Sequence, residues 1–178
     1  MKLDLMRDAS SAFPKFEDYE SVTEMRVWHC KYKSMQDIGR FVNLKELVIA
    51  TLPESSLDFL LPLKNLEYLK IVHLPKVEDI SPLSELKSLV CLSLATLPNW
   101  DSSKKLTKIK TLEPISSLPR LKNIELFGVV PVDGSLDYLK NVKTLETARF
   151  SGYIDEKVES FYSGSNISRD FVPKSSFS

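Results

Sequence analysis

The sequence predicts an α/β solenoid: about six short units stacked side by side, each giving one strand to a parallel sheet and returning through a helix or turn on the other side. Three observations predict it. A thirteen-residue phrase is written three times, as FVNLKELVIATLP at 41–53, LKNLEYLKIVHLP at 63–75 and LKSLVCLSLATLP at 86–98. Its apolar positions are spaced 3, 3, 3, 2 and 3 apart. The step of two is strand alternation, with both side chains on one face. The same spacing continues in weaker form on both sides of the three good copies, as a repeat architecture requires. One unit cannot bury its apolar side alone; stacked units can, because each covers its neighbour.

The units run in order from residue 16 to residue 153. Their fifth apolar positions are Val27, Ile49, Ile71, Leu94, Leu126 and Phe150, at intervals of 22, 22, 23, 32 and 24. Residues 1–15 are expected to cap the first unit. The interval of 32 places about nine extra residues in the fourth, within NWDSSKKLTKIKT at 99–111. The returning segments SSLDFLLPLKN, SPLSELKSL and GSLDYLKNVK suit helices of one or two turns. Pro62, Pro82, Pro114 and Pro119 exclude long ones. Residues 154–178 form a C-terminal cap and tail. DEKVESFY at 155–162 reads as a closing helix with Asp155 at its N-cap. Residues 163–178 are Ser-rich and aperiodic, and are expected to be loosely held. One domain, 1–178, accommodates all of this.

The phrases LxxLxxLxLxxL resemble the leucine-rich repeat, and DISPLSELKSL at 79–89 is similar to its bacterial, internalin-like version. The resemblance covers roughly residues 16–153 and gains its specificity from recurrence. It implies a curved, right-handed leucine-rich repeat solenoid with its parallel strands lining the concave side, in a short, non-secreted form. The chain departs from the family in one respect. The Asn or Cys usual three residues after the L-x-L step is replaced by Leu52, Leu74 and Leu97 in the best copies, with Pro53, Pro75 and Pro98 next. Proline has no N–H. Leu-Pro therefore removes a donor that Asn would otherwise satisfy and buries a leucine in its place.

Alternation also assigns the outward face, because residues flanking the L-x-L pair point away from the core. They are Glu24, Arg26 and Trp28; Glu46, Val48 and Ala50; Tyr68, Lys70 and Val72; Cys91, Ser93 and Ala95; Asn123, Glu125 and Phe127; Thr147, Arg149 and Ser151. Such a surface is peptide-sized or protein-sized. One column reads Trp28, Ala50, Val72, Ala95, Phe127, Ser151, with an aromatic near each end. Aromatics and Arg are common interface anchors. Two readings are open: the column seats a partner, or the cap covers Trp28 and the insertion covers Phe127. The candidate partner-binding residues are Trp28, Glu46, Val48, Tyr68, Lys70, Val72, Glu125, Phe127 and Arg149. Trp100, Lys104 and Lys105 of the insertion join them if that segment is a basic contact arm rather than a solvated loop. Glu125 and Arg149 are neighbours in one column and are expected to pair across strands.

Little else in the sequence points to chemistry. Twenty-four basic residues balance twenty-four acidic ones, which gives no general basis for binding a phosphate backbone. No apolar run approaches a membrane span. The first residues carry Lys2, Asp4, Arg7 and Asp8 and do not read as a signal peptide. If Met1 is the native start, the expected location is cytoplasmic. Cys91 and His73 fall in adjacent units but five residues apart in register, about 16 Å, beyond the reach of a nucleophile–base pair. His29 and His73 share a column two strands apart with Thr51 between, which makes a poor metal site. Cys30 occupies a core slot. Cys91 is expected to face outward and to be open to reaction. The five glycines form no phosphate-cradling loop.

No catalytic residue, metal or cofactor is therefore assigned. The expected function is a non-catalytic protein-binding module whose partner is another protein, not nucleic acid or membrane; its oligomeric state is left open. Resemblance to short intracellular bacterial proteins of this kind implies an immunity-type role, neutralising a toxin. The alternatives are the substrate-recognition part of an enzyme or effector system, and a structural element of a larger assembly.

Overall fold

The computed structural model describes residues 1–171 and 173–177, with the backbone alone at Asp101. Among the described residues nine strands appear in chain order: β1 (Lys2–Met6), β2 (Glu24–Trp28), β3 (Glu46–Ala50), β4 (Tyr68–Val72), β5 (Cys91–Ala95), β6 (Thr107–Ile109), β7 (Asn123–Phe127), β8 (Val129–Pro131) and β9 (Thr147–Ser151). Seven of them form one sheet in the order β1-β2-β3-β4-β5-β7-β9, and β6 pairs with β8 beside it. Every pairing is parallel. The chain therefore advances one strand per unit along the sheet. It leaves that sheet only for the extra pair, whose residues flank β7.

The register follows from alternation. Met25, Leu47, Leu69, Leu92, Ile124 and Ala148 align in one inward row; Val27, Ile49, Ile71, Leu94 and Leu126 align in the next. All eleven side chains are fully buried. Parallel strands cannot be joined by a tight hairpin, so each unit returns across the convex side. Four returns are short 3₁₀ segments, at Gln36–Arg40, Asp58–Leu60, Ser81–Glu85 and Asp137–Asn141. Two short helices come from the enlarged unit: α1 (Pro98–Ser102) in the insertion and α2 (Glu113–Ser116) in the return.

One device recurs at every return. The first N–H of the turn is accepted by a hydroxyl or carboxylate two residues earlier: Ser34 for Gln36, Ser56 for Asp58, Asp79 for Ser81, Thr111 for Glu113 and Ser135 for Asp137. A helical turn leaves its first N–H groups unpaired, and a short polar side chain just before it satisfies one. This is a seventh repeated position, and it is polar; a trace of apolar spacing does not register it.

Four expectations need correction. Residues 1–15 are more than a cap. Lys2–Met6 is a seventh strand, paired with β2 from Lys2↔Glu24 to Met6↔Trp28, and capping falls to the aromatic cluster that follows. There Phe13, Phe16, Tyr19 and Phe41 stack at 4.8–6.3 Å. At the other end α3 (Asp155–Tyr162) closes the core, but its N-cap is Ile154 and no side chain caps it. Asp155 instead places its charge in the first turn, where the helix dipole favours an acid. The insertion is not a loose loop: its last part is β6, with Thr107 and Ile109 buried and Lys110 Nζ 3.1 Å from Asp79 Oδ2. Finally, the leucine of Leu-Pro is fully buried in only two of the three copies. Leu52 and Leu74 are buried. Leu97 is half-buried, because Pro98 opens α1, a position whose missing N–H costs nothing.

Candidate functional site

The seven strands present three outward columns. The first runs Lys2, Glu24, Glu46, Tyr68, Cys91, Asn123, Thr147. The second runs Asp4, Arg26, Val48, Lys70, Ser93, Glu125, Arg149. The third runs Met6, Trp28, Ala50, Val72, Ala95, Phe127, Ser151. At ~4.8 Å per strand the face is about 29 Å across.

The columns are not uniformly open. Trp28, Tyr68, Lys70, Val72 and Phe127 are half-buried and Arg149 is exposed. Val48, by contrast, is 3% exposed and Glu125 is 8% exposed. Val48 is short and lies between the long side chains of Arg26 and Lys70 in its column, so it offers a partner no free surface as the face stands. Glu125 accepts a 2.8 Å hydrogen bond from Ser93 Oγ, and its second oxygen lies 3.7 Å from Arg149 Nη1, so the cross-strand pair forms. Arg149 also lies over the Phe127 ring, 4.9 Å from its centre.

Cys91 is the clearest reversal. It was expected to be accessible, yet it is 3% exposed. Burial, reinforced by the Glu125 carboxylate, pushes its thiol up to about 12. The nucleophile is the thiolate, so burial and the raised pKa both disfavour reaction at Cys91. Burial likewise raises the Tyr68 hydroxyl, with Cys91 and Glu46 adding to the effect. Cys30 is buried, as its core slot implies.

At one end of the face the chain's own tail is present. The bridge Thr147↔Ser168 sets residue 168 beside β9. Seven residues later Ser175 Oγ donates to Glu46 Oε1 at 2.6 Å, and the Ser176 N–H reaches the same oxygen at 2.9 Å. Ser176 Oγ donates to Glu24 Oε2 at 2.9 Å, and Arg26 Nη1 donates to the Phe177 carbonyl at 3.0 Å. Glu46 is thus engaged within the chain, and residues 175–177 are not loosely held. Aperiodic polar hydrogen bonding leaves no trace in apolar spacing, so sequence reasoning had no signal for it.

Along the other rim, the residue after each strand is left-handed at Arg7, His29, Thr51 and His73. His29 Nδ1 lies 3.2 Å from Thr51 Oγ1. Trp100 of the insertion meets the His73 ring edge to face at 4.8 Å, and His73 Nδ1 is buried with no hydrogen-bond partner among the described residues. Burial lowers the His73 pKa, with His29 adding to it. Lys104 and Lys105 are exposed just beyond. Among the described residues no three His, Cys, Asp or Glu side chains are grouped to hold a metal ion, and no helix is long and apolar enough to cross a membrane.

Parallel strands at one per unit, buried leucine rows and short returns define a leucine-rich repeat solenoid. No family model and no curated protein matches the sequence. Among solved structures, the chain is similar to two internalins of Listeria monocytogenes. It shares 17% identity with InlF over 72% of this chain and 41% of that one, with a TM-score of 0.44. It shares 21% identity with InlC2 over 74% of this chain and 62% of that one, with a TM-score of 0.42. The chain thus spans less than two thirds of the length of either internalin.

Proposed function

We propose that this chain is a non-catalytic protein-binding module whose partner lies on the concave face, along the third column. The observation that carries the reading is that Trp28 and Phe127 stand four strand spacings apart in one register column, with only Ala50, Val72 and Ala95 between. The two half-buried aromatics bound a trough about 19 Å long, in whose floor Val72 is half-buried between the buried Ala50 and Ala95. Aromatic side chains left partly open on an outward face are common interface anchors. Arg149 and Lys70 in the neighbouring column give a polar rim, and Tyr68 extends the face. Trp100, Lys104 and Lys105 stand at its edge and add a basic contact for an acidic stretch of the partner.

The finer form of this reading, an immunity-type protein that neutralises a bacterial toxin in the cytoplasm, is supported by family resemblance alone. An adjacent toxin gene whose lethality is suppressed by co-expression of this chain would bear it out; a lethal product left unsuppressed would count against it.

The test of the broader reading is an affinity pull-down with the Trp28→Ala/Phe127→Ala double variant, checked for folding by circular dichroism. The partner retained by the wild-type chain should be lost. Retention undiminished would remove the third column from the interface.

A further inference from the structure

The N-terminal end of the face, where the tail lies, is built differently from the aromatic trough. Glu24 and Glu46 are direct register partners on parallel strands. Like charges placed directly opposite are destabilising unless something stands between them. Here hydrogen-bond donors do. Glu46 Oε1 receives both the Ser175 hydroxyl and the Ser176 backbone N–H, while Glu24 Oε2 receives the Ser176 hydroxyl. The carbonyls of the same segment meet cations: Lys2 Nζ donates to Ser176 and Arg26 to Phe177. The Phe177 ring has the Lys2 ammonium 4.0 Å from its centre and the Arg26 guanidinium 5.1 Å away.

Arg26 is itself anchored. Its Nε and Nη2 pair with both oxygens of Asp4 at 2.8 and 2.6 Å, a bidentate fork that fixes the guanidinium plane. These bonds hold the Asp4 carboxyl below its ordinary range. The length of the tail also fits. From Ser168, one strand position outside β9, to Glu46 on β3 is five strand spacings, about 24 Å when flat. Seven extended residues reach about 23 Å, and concave curvature shortens the path. The tail therefore has just the length to cross the face directly, and Phe171 and Pro173 are half-buried on the way.

We propose that Lys2, Glu24, Arg26 and Glu46 form a peptide-binding cradle and that residues 175–177 are its resident ligand in cis. The external ligand class is an extended peptide carrying two consecutive hydroxyl residues followed by an aromatic, which enters when the tail leaves. The two carboxylates read donors, so a phosphorylated serine at either hydroxyl position is rejected by like charge. This rests on the concave face being a protein-binding surface, and gives that surface a second, sequence-reading subsite and an intramolecular competitor.

The test uses the full chain and a fluorescent peptide with the sequence of residues 170–177. Phe177→Ala loosens the tail without touching the core. The peptide should bind this variant at least tenfold more tightly than it binds wild type. Arg26→Gln on the Phe177→Ala background should abolish binding, and so should phosphoserine at the peptide's Ser176 position. Hydrogen exchange should show the Ser176 amide protected in wild type and unprotected in the variant. Equal binding to wild type and variant, or no binding to either, overturns the proposal. So does a Ser176 amide that exchanges at the free-chain rate in wild type. The pull-down on Trp28 and Phe127 touches none of the cradle residues, so either idea can fail while the other stands.

Discussion

From β1 to β4 the chain leaves the sheet through Arg7, His29, Thr51 and His73, at φ of 52°, 52°, 69° and 68°; after β7 and β9 it leaves through Gly128 and Gly152, at 68° and 84°. The bend is the same. In each half the N–H at the bend continues the ladder: His29 to Ala50, Thr51 to Val72, His73 to Ala95, Gly128 to Ser151. What differs is the surroundings. A Cβ on Gly128 would lie 2.4 Å from Thr96 Oγ1, and one on Gly152 would lie 2.7 Å from Leu106 Cδ2. Thr96 leads into the insertion and Leu106 belongs to it. Where a neighbouring side chain occupies the space a Cβ needs, only glycine fits. Where the space for a Cβ is open, ordinary side chains tolerate a left-handed backbone and make contacts there, as His29 does with Thr51 and His73 with Trp100. The comparison shows that glycine at these bends is required by crowding more than by the dihedral angle.

The sharpest way to break that comparison is to exchange the residue types. Gly128→Ala combines left-handed strain with a steric clash and should destabilise the chain by about 3 kcal/mol, read from the urea midpoint. If it costs no more than about 1 kcal/mol, crowding is not the reason for glycine. Thr51→Gly should act with the opposite sign. Relief of a β-branched residue from the left-handed region outweighs the exposed hydrogen bond to His29, for a gain of about 1 kcal/mol, seen as a higher Tm.

A smaller effect separates the Leu-Pro copies. Pro75→Ala returns a donor and frees the unfolded chain, and should lower stability by roughly 0.5–1 kcal/mol; an unchanged Tm would remove the proposed role of the proline. The smallest effect concerns pH at the same rim. His73 has its pKa lowered by burial, so the folded state prefers the neutral ring. Its contribution is complete above the ordinary imidazole value, ~6.5, and is lost as pH falls below that. Between pH 7.5 and 5.5 wild type should therefore lose more Tm than His73→Gln. Equal losses would show that Trp100 covers the ring without shielding it from solvent.

The sheet was legible because its signal is periodic and apolar. Val27, Ile49, Ile71 and Leu94 form the continuous buried row that the spacing requires, and the outward columns fall in register residue for residue. Exposure within those columns was not legible, since alternation says which way Val48 and Cys91 point but not what lies over or beside them. The polar device at Ser34, Ser56, Asp79, Thr111 and Ser135 was within reach of the sequence, because it recurs with the period of the leucines. The tail's contacts with Glu24 and Glu46 were not, because they join residues 129–152 positions apart through side chains that follow no pattern.

A stack of repeats held only by nearest neighbours melts inward from its two ends, each blind to the other. By reaching from beside β9 to β1, β2 and β3, the segment ending at Phe177 ties the last unit to the first. Thermally, the array should then behave less like an open string that frays and more like a buckled belt, in which loosening either end slackens both.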